Sequence, residues 1–83
     1  MIQVASLVLA QSICMLSHDL YQALSVDHGE ERVVAGLSGQ AMFEFWTNPQ
    51  TGSWTILQTT PDGTSCVMSV GDSAVEFKRK PNI

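Results

Sequence analysis

The spacing of apolar residues changes at Gly29, and this change restricts the fold more than any other feature of the chain. Before it, Ile13, Leu16, Leu20 and Leu24 recur at intervals of three and four, which puts them on one face of a helix. Gln11, Asp19 and Gln22 fall on the opposite side. Ser12 or Ser17 offers the side-chain oxygen that an N-cap needs. Gly29 suits the position just past the last turn, where a left-handed backbone is common. After Gly29 the period is two, and residues 32–37, 41–47, 53–60, 65–70 and 74–78 read as strands. Ser38-Gly39, Asn48-Pro49-Gln50-Thr51-Gly52, Pro61-Asp62-Gly63 and Gly71-Asp72-Ser73 are turn sequences between them. Connections this short join antiparallel neighbours. The expected fold is therefore α+β, an N-terminal helix packed on a four- to five-stranded antiparallel β-meander.

The turns suggest a register, with Thr47 opposite Ser53, Thr60 opposite Thr64, Leu37 opposite Ala41 and Val70 opposite Ala74. One face of the sheet then carries Val33, Ala35, Leu37, Ala41, Phe43, Phe45, Leu57, Val67, Val75 and Phe77, with no charge among them. The other carries Arg32, Val34, Met42, Glu44, Trp46, Trp54, Ile56, Gln58, Cys66, Met68, Glu76 and Lys78. The uncharged face is the natural bed for the helix. On the mixed face Met42, Trp46, Trp54, Ile56 and Met68 would form an apolar patch open to a partner, because large aromatic side chains act as interface anchors. A slip of one residue at any turn would reverse the strands beyond it.

Eighty-three residues make a single domain, 1–83, and a domain this small buries only part of its apolar surface. Apolar residues are 45% of the chain and charged residues 14%, a composition that excludes a disordered chain. The net charge is −4, and the one basic run, Lys78-Arg79-Lys80, is too small for a nucleic-acid footprint. No membrane span is expected, since residues 1–16 fall short of the roughly 20 apolar residues a spanning helix needs. Residues 1–13 read either as the first part of the helix or as the remnant of a leader, with a cleavage point after Ala10 but without a basic leading segment.

No GxSxG, HExxH or glycine-rich phosphate loop is present, so no catalytic residue or cofactor is assigned and the reading is of a non-enzyme. Cys14 and Cys66 could form a disulfide, remain two buried thiols, or enter a metal site. Cys14 and His18 have a helical spacing that can present two zinc ligands, but Cys66, Asp27 and His28 would have to converge on them, and no metal is assigned. His28 beside Gly29 is most simply a helix-terminus residue. Glu44 sits mid-strand among apolar residues, where desolvation would raise its pKa. The simpler expectation is a half-solvated carboxylate on the outward face, near Arg32.

Cys14, His28-Gly29-Glu30, Gly52-Ser53-Trp54-Thr55-Ile56-Leu57, Pro61-Asp62-Gly63 and Ser65-Cys66 together resemble a group of small uncharacterised exported proteins of alphaproteobacteria. That group is similar over roughly residues 14–71, with a Tyr-Gly-Glu segment where this chain has His28. The resemblance implies a small periplasmic or secreted domain whose two cysteines pair, and it brings no activity with it. A cytoplasmic location follows instead if the N-terminal segment is not a truncated signal peptide. Two functional classes remain. One is a non-catalytic protein–protein interaction module, binding a protein partner or its own copy as a homodimer through an exposed apolar sheet face. The other is a small ligand- or metal-binding protein or enzyme with a site near Cys14, His18 and His28.

Overall fold

The computed structural model describes residues 13–77. Residues 1–12 and 78–83, which include the leader reading and the Lys78-Arg79-Lys80 run, lie outside the described residues. The chain runs through β1 (Ile13–Leu16), a short helix α1 (Ser17–Gln22) that continues as a π-helical turn (Ala23–Asp27), β2 (Glu31–Ser38), β3 (Ala41–Thr47), β4 (Trp54–Thr60) and β5 (Thr64–Gly71). All pairings are antiparallel, in a five-stranded sheet of order β1-β5-β4-β3-β2. The α+β class and the meander from β2 to β5 agree with the sequence pattern. The fifth strand does not come from where the pattern put it. Residues 74–77 form no strand, and the outer place beside β5 is taken by β1.

The helical spacing of Ile13 and Leu16 is therefore coincidental. Those residues are extended, with Ile13 opposite Val67 and Leu16 opposite Thr64. Periodicity over so short a run cannot separate the two conformations, and pairing with the β5 edge decides it. Between them Cys14 lies directly opposite Cys66, and the two are joined by a disulfide with Cα atoms 3.9 Å apart. In the chain-entropy model a bond across 52 residues of separation contributes roughly 4 kcal/mol. The helix then starts at Ser17, whose backbone N–H donates to Gly63 O at 2.8 Å, so a turn of the sheet satisfies one of the helix's orphan donors. Leu16 is the N-cap and provides no side-chain cap bond.

At the far end the helix stops as expected. Gly29 has φ +62° and the Glu30 N–H bonds back to Leu24 O at 2.9 Å, closing the turn. The wider π turn sets this acceptor one residue further back than in an α-helical ending.

The hairpins fix which face the helix covers. Pro61-Asp62-Gly63 forms a loop with Thr60 opposite Thr64, as the sequence suggested. Asp62 Oδ1 accepts from Thr60 Oγ1 at 2.6 Å and from the Thr64 N–H at 3.1 Å, and Gly63 takes the positive φ that ends such a turn. The other two hairpins close one residue tighter than expected. Ser38 pairs with Ala41 across Gly39-Gln40, with Gly39 at φ +62° as a primed turn requires. Thr47 pairs with Trp54, not Ser53, because Asn48 stays in the ladder: its N–H donates to Ser53 O at 2.8 Å. The Asn48 side chain meanwhile accepts from the N–H groups of Gln50 and Thr51 at 2.8 and 3.1 Å, bending the loop by itself.

Because a slip of one residue reverses a strand, β3 presents the opposite set of side chains to the helix from the one expected. Glu44 pairs with Leu57 and Trp46 with Thr55, so the helix lies over Glu44, Trp46, Thr55 and Leu57. Leu20, Leu24, Trp46 and Leu57 form the core, with Tyr21 and Val67 packed against it. Phe43, Phe45, Trp54 and Ile56 occupy the other face. Bulges at Val33 in β2 and Met68 in β5 shift the register once more in the β2–β3 and β4–β5 pairings.

Candidate functional site

Two features stand out once the faces are known: a buried carboxylate beneath the helix and an uncharged apolar face on the far side. Glu44 is the buried carboxylate, only 1% exposed. Tyr21 on the helix donates its hydroxyl to Oε2 at 2.5 Å, and Thr59 Oγ1 donates to the same oxygen at 2.7 Å. Trp46 Nε1 donates to Oε1 at 2.9 Å, and the Arg32 guanidinium lies 3.4 Å from that oxygen. Arg32 also stacks toward the rings of Tyr21 and Trp46, at 5.6 and 5.9 Å from their centroids. Burial pushes the Glu44 pKa up. The bonds donated by Tyr21, Thr59 and Trp46, with the charge of Arg32, outweigh burial and hold the carboxyl below the usual range.

The proton directions follow from this. The single Thr59 proton goes to Glu44, so Ser65 must donate to Thr59 Oγ1 at 2.6 Å. Ser17 in turn donates to Ser65 Oγ at 2.6 Å. Hydroxyls from α1, β5 and β4 thus align toward one negative charge, an arrangement in which each bond polarises the next. A carboxylate so fully supplied with donors, with its pKa lowered, is an anchor between helix and sheet and is poorly suited to carrying protons near neutral pH. The expectation of a half-solvated Glu44 is thereby corrected, although its pairing with Arg32 is present. A single buried acid with Tyr, Trp and Thr partners leaves a weak sequence signal, because those partners are contributed by different elements. Glu30 is a second buried acid that the sequence did not single out; Ser53 Oγ donates to its Oε2 at 2.8 Å.

The residues expected to form one apolar patch are divided between the faces. Trp46, 7% exposed, and Met42 lie on the helix side. Trp54 and Ile56 lie on the outer face. Met68 stands in the β5 bulge, 46% exposed. The single mixed face of the sequence reading is thus corrected. Phe43 and Phe45, assigned to the helix bed, instead join Trp54 and Ile56 outside. Phe45 and Trp54 stack with ring centroids 5.9 Å apart. The Trp54 indole lies flat on Gly71, where any side chain would collide with the ring. Val34 and the Cys14–Cys66 disulfide extend the same face toward its two sides. Among the described residues charge comes in at a corner, where Glu31 and Glu76 line a groove of about 540 Å³ together with Phe45, Val33, Val34 and Val75. The segment that brings Val75 and Glu76 to the groove is held by the Ala74 N–H, which donates to Gly52 O at 2.8 Å.

Cys14 and Cys66 are brought together as a disulfide, so neither offers a thiolate to a metal or a substrate. His18 is exposed and within 3.4 Å of Asp19, and His28 is exposed at the helix end, its carbonyl accepting from Asn48 Nδ2 at 2.9 Å. Among the described residues no cluster of three His, Cys, Asp or Glu side chains could hold a metal ion. No helix among them is long and apolar enough to cross a membrane. The chain matches no family model, no curated protein and no solved structure.

Proposed function

We propose that this domain is a non-catalytic protein–protein interaction module whose binding surface is the outer face of the sheet. The supporting observation is the row Phe43, Phe45, Trp54 and Ile56, four large apolar side chains on one face without a charged neighbour among them. Phe43 remains 38% exposed and Val34 63% exposed, while the helix that could cover such a surface lies on the other side. Aromatic side chains at the centre of a flat surface are the usual anchors of an interface. A second copy of the chain is the simplest partner, because one self-complementary face is enough for a two-fold dimer. The reading that placed a ligand or metal site near Cys14, His18 and His28 loses its thiol to the disulfide.

Sedimentation velocity over a hundredfold range of concentration tests this. The wild-type chain is expected to pass from monomer to dimer. Phe43→Glu, which puts a charge into the row at an exposed position, is expected to remain monomeric with an unchanged circular dichroism spectrum. A wild-type chain that stays monomeric throughout, or a Phe43→Glu chain that dimerises equally well, would overturn the self-association reading.

A further inference from the structure

We infer that the Cys14–Cys66 disulfide is a redox latch that holds strand β1 onto the sheet, and that its reduction frees β1 and uncovers the β5 edge while the rest of the domain stays folded. The bond joins two directly opposed residues in an edge pairing. Cys14 is exposed and Cys66 half-buried, so a reductant can reach the sulfurs. Among the described residues the strand it secures has little other packing: Ile13, Met15 and Leu16 are 63, 39 and 62% exposed.

The remainder of the fold is fastened independently. The core of Leu20, Leu24, Trp46 and Leu57 contains no residue of β1. The start of the helix is held by Ser17, through its N–H to Gly63 O and its hydroxyl to Ser65, and then by Tyr21 on Glu44. These contacts lie within the loop that the disulfide closes, and none of their groups belongs to β1, so release of that strand breaks none of them. What opening exposes is the ladder edge of Thr64 to Val67, which β1 otherwise covers. An uncovered strand edge of this kind is a template for adding another strand.

The reductant class is a dithiol. One of its thiolates attacks a sulfur of the bond, giving a mixed disulfide and releasing the other cysteine as a thiolate. Its second thiolate then displaces the first-attacked cysteine. Two electrons pass to the cystine, each cysteine sulfur ends with a proton, and the dithiol becomes a cyclic disulfide.

The test is two-dimensional nuclear magnetic resonance on the full chain, oxidised and then treated with dithiothreitol, with a Cys14→Ser/Cys66→Ser variant as the permanently open form. The oxidised chain should show cross-strand nuclear Overhauser contacts between Ile13 and Val67 and between Met15 and Ser65. In both open forms these contacts should vanish and the amides of residues 13–16 should move to random-coil shifts. The Trp46 indole N–H, bound to Glu44, should keep its position. Retention of the β1–β5 contacts after reduction would overturn the latch. Collapse of the whole spectrum in both open forms would overturn it equally, since the bond would then be a staple for the entire fold.

Discussion

Replacement of Glu44 by leucine or by glutamine separates the roles of charge and hydrogen bonding beneath the helix. Leucine is close in volume but accepts no hydrogen bond. It leaves the buried Trp46 Nε1–H without a partner, while the Thr59 hydroxyl can turn back toward Ser65 and the half-buried Tyr21 hydroxyl can turn toward water. One orphaned buried donor and the loss of charge-assisted bonds together cost about 3 kcal/mol. Glutamine can keep its oxygen toward Trp46 and Arg32, which are donors only, and turn its amide toward Tyr21 and Thr59, whose hydroxyls can accept. Thr59 then donates to Ser65, and the hydroxyl row reverses. The loss is that of charge assistance alone, about 1 kcal/mol. For a domain of this size a urea slope near 1 kcal/mol/M turns these figures into midpoint shifts of about 3 M and about 1 M. Urea unfolding followed by tryptophan fluorescence measures both. A Glu44→Leu chain as stable as the wild type, or a Glu44→Gln chain as damaged as Glu44→Leu, would refute the reasoning.

Three further outcomes follow from the same structure. Because the folded state holds the Glu44 carboxyl below its ordinary value of 4.5, its contribution is complete above that value and fades as pH falls through it toward the lowered folded value; acid titration of stability should therefore be shallower in Glu44→Gln than in wild type. Leu57 is fully buried in the core, so Leu57→Ala should cost about 2–5 kcal/mol in the same urea assay, and a cost below 1 kcal/mol would mean the core lies elsewhere. Gly29→Ala forces a side chain onto a left-handed backbone and against the Asn48 amide, so it should lower the thermal midpoint, with a loss of about 1–2 kcal/mol.

Much of the fold was legible in the sequence, and the reasons can be traced to particular residues. The end of the helix was readable because Gly29 is needed for its backbone freedom. The β4–β5 turn was readable because Asp62 and Gly63 act within the loop itself. The face of β3 was not readable, because it depends on whether Asn48 belongs to the strand or to the loop, and Asn48 serves both. That single residue decides whether Glu44 or Phe45 meets the helix. The rule that an uncharged face attracts the helix failed because the donors neutralising Glu44 come from α1, β2, β3 and β4, which local sequence cannot assemble. The pairing of Cys14 with Cys66 was suggested by resemblance, but its placement at a sheet edge required Ile13–Leu16 to be extended, against their helical spacing.

The two tryptophans lie on opposite faces of the sheet, which gives the interaction proposal a direct internal control. A concentration series of proton–nitrogen correlation spectra reports both indole N–H groups at once. If the outer face is the contact surface, the Trp54 indole and the amides of Phe43, Phe45 and Ile56 shift as concentration rises, while the Trp46 indole, bonded to Glu44 beneath the helix, stays fixed. Shifts at Trp46 with a constant Trp54, or no concentration dependence at either, would contradict the account.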